Sequence, residues 1–201
     1  MDRKVDILTD NEGNKIVFIH DKLFKGKSFD WDDVEKYLKK HIGEFYNIEE
    51  SADVVYIGDD LPNEYAHSNY SMSIKGATRA AKANAIVGLS EMIESATNKK
   101  FTENRKTKHN RDAKYGWYSY ESRFAIPVFN DSGELERYNI FRVIMVVRHD
   151  QNGKKYLYDI MNIKKETSSF FGSEDLTQWK THFLTIIIRP TGAKVNQLLK
   201  I

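Results

Sequence analysis

A chain of 201 residues, 40% hydrophobic and 30% charged, is long enough to bury one good core, or a core with a small appendage. It has no apolar run near the roughly 20 residues of a membrane-spanning helix, no apolar signal-peptide core at Met1–Asp6, and no cysteine for disulfides or thiolate metal sites. Its net charge of +2 hides an asymmetry: residues 1–98 carry −6 and residues 99–201 carry +8. That asymmetry points to a polyanionic partner for the basic half, or to a dipolar surface with no partner at all.

In chain order, residues 4–19 read as two short strands around the turn-rich tetrad Asn11-Glu12-Gly13-Asn14. A helix is predicted from Trp31 to about His41, with Asp30 as N-cap, acids in its first turn, and Trp31, Val34, Leu38 and Ile42 as its apolar stripe. Gly43 ends it. Asp53 to Ile57 reads as a short strand closed by Gly58-Asp59-Asp60-Leu61-Pro62. A long helix is predicted from Met72 to Ala96, because Ile74, Ala77, Ala81, Ala85, Leu89, Met92 and Ala96 keep a three/four spacing. Within it, Gly88 offers a place for another element to approach closely.

The segment 99–114 holds seven Lys/Arg and two acids and reads as a basic connector. From Glu121 the period changes to two. Phe124, Ile126 and Val128 alternate along one strand, Arg137 to Arg148 forms a central strand, and Lys155 to Ile163 returns after the hairpin signal Asp150-Gln151-Asn152-Gly153. Phe183 to Ile188 suggests one further strand, and the last ten residues read as a tail. The expected fold is therefore α+β, with N-terminal helices packed on an antiparallel β-meander. The expected organisation is an N-terminal hairpin extension (1–27), a main domain (28–170) and a C-terminal strand and tail (171–201).

Phosphate-loop, dinucleotide-fingerprint, zincin and nucleophile-elbow motifs are absent from the sequence, and no metal site or cofactor is expected. The stretch 106–123 instead packs one imidazole, five cations and four rings into eighteen residues. Cleavage of RNA without a metal needs a proton-transfer group, cations for the phosphate and flat surfaces for bases, and a purely binding surface needs the last two. Within this stretch, Lys106, Lys108 and Arg111 favour a neutral, proton-accepting His109, which is either an acid/base group or a solvated loop histidine. Parity opposite Phe124 exposes Arg123 on the sheet, to fork onto a phosphate or to form a cross-strand ion pair. Tyr118 and Tyr120 are grouped on that face as stacking or orienting residues, with Tyr156 and Tyr158 on the third strand. Lys164 and the hydroxyls that follow it could complete a phosphate pocket. Lys106, Arg111, Lys114, Tyr118, Tyr156, Tyr158 and Lys164 are thus the expected RNA-binding set.

Four blocks carry a family resemblance: Val55 to Pro62; Lys82-Ala83-Asn84-Ala85 with Gly88 to Ile93; Lys108-His109 with Ala113 to Tyr118 and Ser122 to Val128; and Lys155 to Ile160 with Lys164 to Thr167. In this order, over roughly residues 28–170, they resemble the barnase/colicin-type endoribonuclease domain of phage and mobile-element polyvalent proteins. The resemblance implies a barnase-like sheet whose exposed face cleaves RNA without a metal, the ribose 2′-OH attacking phosphorus to leave a 2′,3′-cyclic phosphate. It implies His109 as acid/base, Lys108 and Arg123 as phosphate ligands, and Tyr120 and Thr167 as orienting groups. Ser119 departs from the family pattern, which has a basic residue between the two tyrosines, and this removes one phosphate contact.

The leading expectation is a toxin-type endoribonuclease acting on tRNA or another structured RNA, in the cytoplasm of a host or target cell, with an acidic immunity protein as partner. The alternatives are a catalytically silent RNA-binding module and a phage structural or packaging module.

Overall fold

β7 (Leu135–His149) is the central strand of the sheet, and its sequence explains why. Phe141, Val143, Met145 and Val147 alternate towards one face and are fully buried there, while Arg142, Ile144, Val146 and Arg148 point to the other. On either side lie β6 (Trp117–Phe129) and β8 (Lys155–Lys165), both antiparallel to β7. Phe124 on β6 stacks on Phe141 with ring centroids 5.4 Å apart. Each such side chain contributes about 1.5–3 kcal/mol when fully buried. The expected meander is therefore present, as the middle of something larger.

The computed structural model describes residues 5–10, 12–26 and 29–166, all within the unit Arg3–Thr167. Eight strands form one curled sheet in the order β1 (Val5–Thr9), β2 (Lys15–Ile19), β6, β7, β8, β4 (Asp53–Tyr56) and β3 (Phe45–Ile48), with β5 (Thr97–Thr102) on β6. The hairpin of β1 and β2 is part of this sheet, because β2 runs parallel to β6 with Val17 opposite Phe124. Ile16 to Ile19 are at most 2% exposed, so β2 is covered on both faces. On the far side, β4 runs parallel to β8, and β3 closes the edge.

The expected α+β layering is corrected by this topology. The sheet is mixed, with two parallel pairings, and it dominates a mostly β protein. The helices are short: α1 (Trp31–Leu38), α2 (Leu61–His67), α3 (Asn69–Ser73), α4 (Gly76–Ala85) and α5 (Leu89–Glu94). Asp30 caps α1 as expected, accepting from the Asp32 amide at 3.1 Å. The long helix expected over 72–96 is broken twice. Extended backbone at Ile74 and Lys75 separates α3 from α4, and a 3-10 turn at Ile86–Gly88 separates α4 from α5. At that turn a Cβ on Gly88 would stand 2.9 Å from Val17 Cγ1, so the glycine lets β2 close in. No helix among the described residues is long and apolar enough to cross a membrane.

Candidate nucleic-acid interface

The basic connector has more structure than its sequence suggests. Its first part is β5 (Thr97–Thr102), antiparallel to the start of β6. Residues 103–116 then fold back over the ends of β6 and β7. The Tyr115 amide donates to the His149 carbonyl at 3.0 Å, the His149 amide to the Gly116 carbonyl at 3.0 Å, and the Gln151 amide to the Arg111 carbonyl at 3.1 Å. Ala113 is buried beneath the loop. Gly116 is required where it stands. Its φ of 92° lies in the left-handed region, and a Cβ would meet Phe101 Cε2 at 2.6 Å and the Thr102 carbonyl oxygen at 2.9 Å.

This loop seats His109 on Trp117, the first residue of β6, with ring centroids 5.3 Å apart and planes at 89°. Tyr158 completes the cluster, 5.1 Å from Trp117 and 6.4 Å from His109. A bulge in β8 places it there: Val147 pairs with Leu157 and Val146 with Asp159, leaving Tyr158 unpaired on β7. The Tyr158 hydroxyl donates to Glu64 Oε2 on α2 at 2.8 Å. Burial and that carboxylate push the phenol well above its usual range, so it stays a donor. The His109 imidazole has ring neighbours but no hydrogen-bond or ion-pair partner among the described residues.

Around this cluster, Arg105, Lys106, Lys108 and Arg111 are exposed and make no ion pair among the described residues, and exposed Lys114 lies over the Tyr115 ring at 5.4 Å. Several cations elsewhere in the sheet are committed: Arg148 to Asp60, Lys99 and Lys155 to Asp53, Arg142 to Glu166.

Several expected site residues are not part of this cluster. Arg123 lies six residues along β6 from Trp117, a separation of about 20 Å at the rise of a strand. Its guanidinium is spent on an ion pair with Asp10 and a fork onto Glu166, at 3.0 and 2.6 Å. Its observed fate is ion pairing with acids just past the ends of β1 and β8, in place of the expected phosphate contact. Tyr120 is corrected more sharply. It is in step with Phe124, not with Arg123, and is fully buried with its hydroxyl donating to Asp53 Oδ2 at 2.5 Å. Tyr118 shares that core-side parity, and the ammonium groups of Lys99 and Lys155 lie over its ring at 4.7 and 4.8 Å. Lys164 is exposed and in register with Arg142, at the Arg123 end of the sheet. Thr167 lies outside the described residues. Lys106, Lys108, His109, Arg111, Lys114 and Tyr158 do come together at one end of the sheet, and Tyr156 stands beside them as the register partner of Arg148.

Sequence reasoning missed Glu64, whose available signal was Leu61-Pro62 after two aspartates, a helix-start pattern. A different grouping, Asp32, Glu35 and His67, holds three ligand atoms within 4.8 Å of one another and has the chemistry for a cation. Glu35 there is already paired with Lys39 at 2.7 Å and with His67 at 2.9 Å. Neither a family model nor a curated protein matches this chain.

Proposed function

We propose that this protein binds RNA through the face built by residues 103–117 and Tyr158. The observation that carries this reading is the set of exposed cations Arg105, Lys106, Lys108 and Arg111, unpaired among the described residues and held by a loop beside the half-buried rings of His109, Trp117 and Tyr158. Clustered like charges without carboxylate partners raise the local positive potential, and phosphates relieve it by releasing counterions. The rings supply the flat apolar surface that bases require.

A labelled RNA titrated at increasing salt tests this. If four cations meet phosphates, affinity falls about fiftyfold between about 50 and 200 mM salt. The triple variant Lys106→Glu, Lys108→Glu and Arg111→Glu is expected to lose affinity by about a hundredfold or more while keeping its melting temperature, since these side chains are exposed. Unchanged affinity in that variant would remove the loop from the interface. If the chain binds no RNA at all, the structural or packaging reading takes its place.

A second reading, metal-independent cleavage at the same face, is favoured by His109, whose imidazole has no hydrogen-bond partner among the described residues, beside the Tyr158–Glu64 pair. An imidazole there can take the proton of an attacking 2′-OH or give one to the departing 5′-oxygen, leaving a 2′,3′-cyclic phosphate, with Lys108 and Arg111 on the phosphate. The resemblance to barnase/colicin-type endoribonucleases supports it, with the site moved away from Arg123 and Tyr120. The same RNA, a tRNA first, incubated in EDTA decides the matter. Cyclic-phosphate ends that disappear in His109→Ala while binding persists support cleavage; binding without new ends leaves a silent RNA-binding module. Cleavage would also call for an acidic protein partner that shields the loop in the producing cell.

A further inference from the structure

The strand registers place one residue from each of five strands in a single row across the sheet. Phe45 on β3 is opposite Tyr56 on β4, Tyr56 is opposite Tyr156 on β8, Tyr156 is opposite Arg148 on β7, and Arg148 is opposite Trp117 on β6. The rings are in contact as well as in register: Phe45 and Tyr56 have centroids 5.6 Å apart, Tyr56 and Tyr156 5.7 Å apart. Cations lie over two of them, Lys154 Nζ 4.9 Å from the Tyr56 ring and Arg148 Cζ 4.5 Å from the Tyr156 ring. The Arg148 guanidinium is oriented by Asp60, at 2.9 and 3.0 Å.

None of these rings belongs to the buried core cluster, although Tyr56, Tyr156 and Trp117 are half-buried. On the same strands Val55, Leu157 and Val147 fill the core from the opposite face and are at most 1% exposed, whereas Phe45 is 58% exposed. With strands about 4.8 Å apart, the row spans about 19 Å from Phe45 to Trp117. It ends at the His109 cluster and the exposed cations of the basic loop.

We propose that Phe45, Tyr56, Tyr156 and Trp117 form a stacking track for unpaired bases, so that the RNA this protein binds is single-stranded where it crosses the sheet. The inference rests on the RNA-binding reading and adds the substrate class. Duplex RNA presents phosphates and groove edges but keeps its base faces stacked on one another, so a row of rings gains nothing from it. A single strand can lay its bases on the rings and its phosphates near Lys154 and the loop, which is the combination used by sequence-tolerant single-strand binders.

The test uses the whole chain and two labelled probes of one sequence, a single-stranded RNA of about 12 nucleotides and its duplex. Wild type is expected to bind the single strand at least about tenfold more tightly than the duplex. Phe45→Ala, which removes an exposed ring, and Tyr56→Ala are each expected to weaken single-strand binding about five- to a hundredfold and to leave duplex binding unchanged. Tyr56→Phe, which keeps the ring, is expected to bind as wild type, separating stacking from a lost hydroxyl or a disturbed sheet. Equal affinity for both probes, or wild-type affinity in both alanine variants, overturns the track. In that case loss of binding in the loop triple variant would still uphold the RNA-binding reading, whereas no RNA binding by wild type overturns both.

Discussion

Asp159→Asn is expected to destabilise the protein by about 3–5 kcal/mol, with the denaturant midpoint falling and the m-value unchanged. Asp159 and Lys82 form an ion pair at 2.6 Å with side chains 2% and 0% exposed. Burial pushes the Lys82 amine down and the Asp159 carboxyl up, and their mutual attraction opposes both effects. The carboxylate also accepts from the Ile160 amide at 2.7 Å and from Ser68 Oγ at 3.3 Å, and the ammonium lies 4.5 and 4.8 Å from the rings of Tyr65 and Tyr70. Asparagine keeps the shape but leaves a buried ammonium without a counter-charge, which is the costly half of breaking such a pair. The double variant Lys82→Met with Asp159→Leu is expected to lie within about 1 kcal/mol of wild type, because it removes both desolvation costs together. If the single variant costs less than about 1 kcal/mol, the pair is not held charged in the folded protein. Asp159 follows the bulged Tyr158, so the single variant is also expected to loosen the His109 cluster, read as a weaker affinity for RNA.

How much of this was legible in the sequence depends on the range of the contacts involved. β6, β7 and β8 were readable because Phe124 and Ile126, then Phe141 to Val147, alternate locally and Asp150 to Gly153 is a hairpin signal. α1 was readable because its cap Asp30 and its buried stripe Trp31, Val34 and Leu38 lie within nine residues. The parallel pairings of β2 with β6 and β4 with β8 join residues about a hundred positions apart through the main chain, and leave no local period to detect. β5 was hidden because none of its residues is buried, so its lysines never alternate with core positions. The helix expected over 72–96 failed differently. A three/four spacing survives a 3-10 turn, so Ala81, Ala85, Leu89 and Met92 read as one helix although Gly88 interrupts it to admit β2.

The site divides along the same line. The loop cations and His109 are neighbours in sequence, and their grouping could be read directly. Arg123 looked available because its partners, Asp10 and Glu166, lie 113 and 43 residues away. Tyr120 stands an even number of residues from Phe124 and takes the core side, so the expected grouping with Arg123 fails on parity. The aromatic row is the least legible part, because Phe45 and Tyr56 meet Tyr156 and Trp117 only through the registers of five strands.

Asp53 sets a second large expectation, in stability and in its pH dependence. Its carboxylate is bonded to Lys155, lies 2.7 Å from Lys99 Nζ, and accepts from the Tyr120 hydroxyl at 2.5 Å and Ser51 Oγ at 2.8 Å. Burial pushes the group up, but these four donors outweigh burial and hold it well below the usual carboxylate range. A carboxyl lowered in the folded state contributes stability that is fully present above its unfolded value near 3.8 and is lost as pH falls through the lower folded value. Asp53→Asn is therefore expected to cost about 2–4 kcal/mol at neutral pH, since it strands two ammonium groups against the Tyr118 ring and weakens the partner of a buried hydroxyl. The stability curves of wild type and variant are expected to begin converging as pH falls below the unfolded value near 3.8 and to meet only once it has fallen through the lower folded value, where wild type has lost the same contribution. Parallel curves through that whole acid window would show that the Asp53 charge is not what binds these elements. Tyr120→Phe, which leaves three of the four donors, is expected to cost only about 1 kcal/mol and to keep the acid limb steep. The consequence reaches the interface through Lys99: it is the residue by which Asp53 on β4 holds β5, and β5 leads directly into the cationic loop. Loss of that tie is expected to weaken RNA binding without touching any residue that contacts RNA.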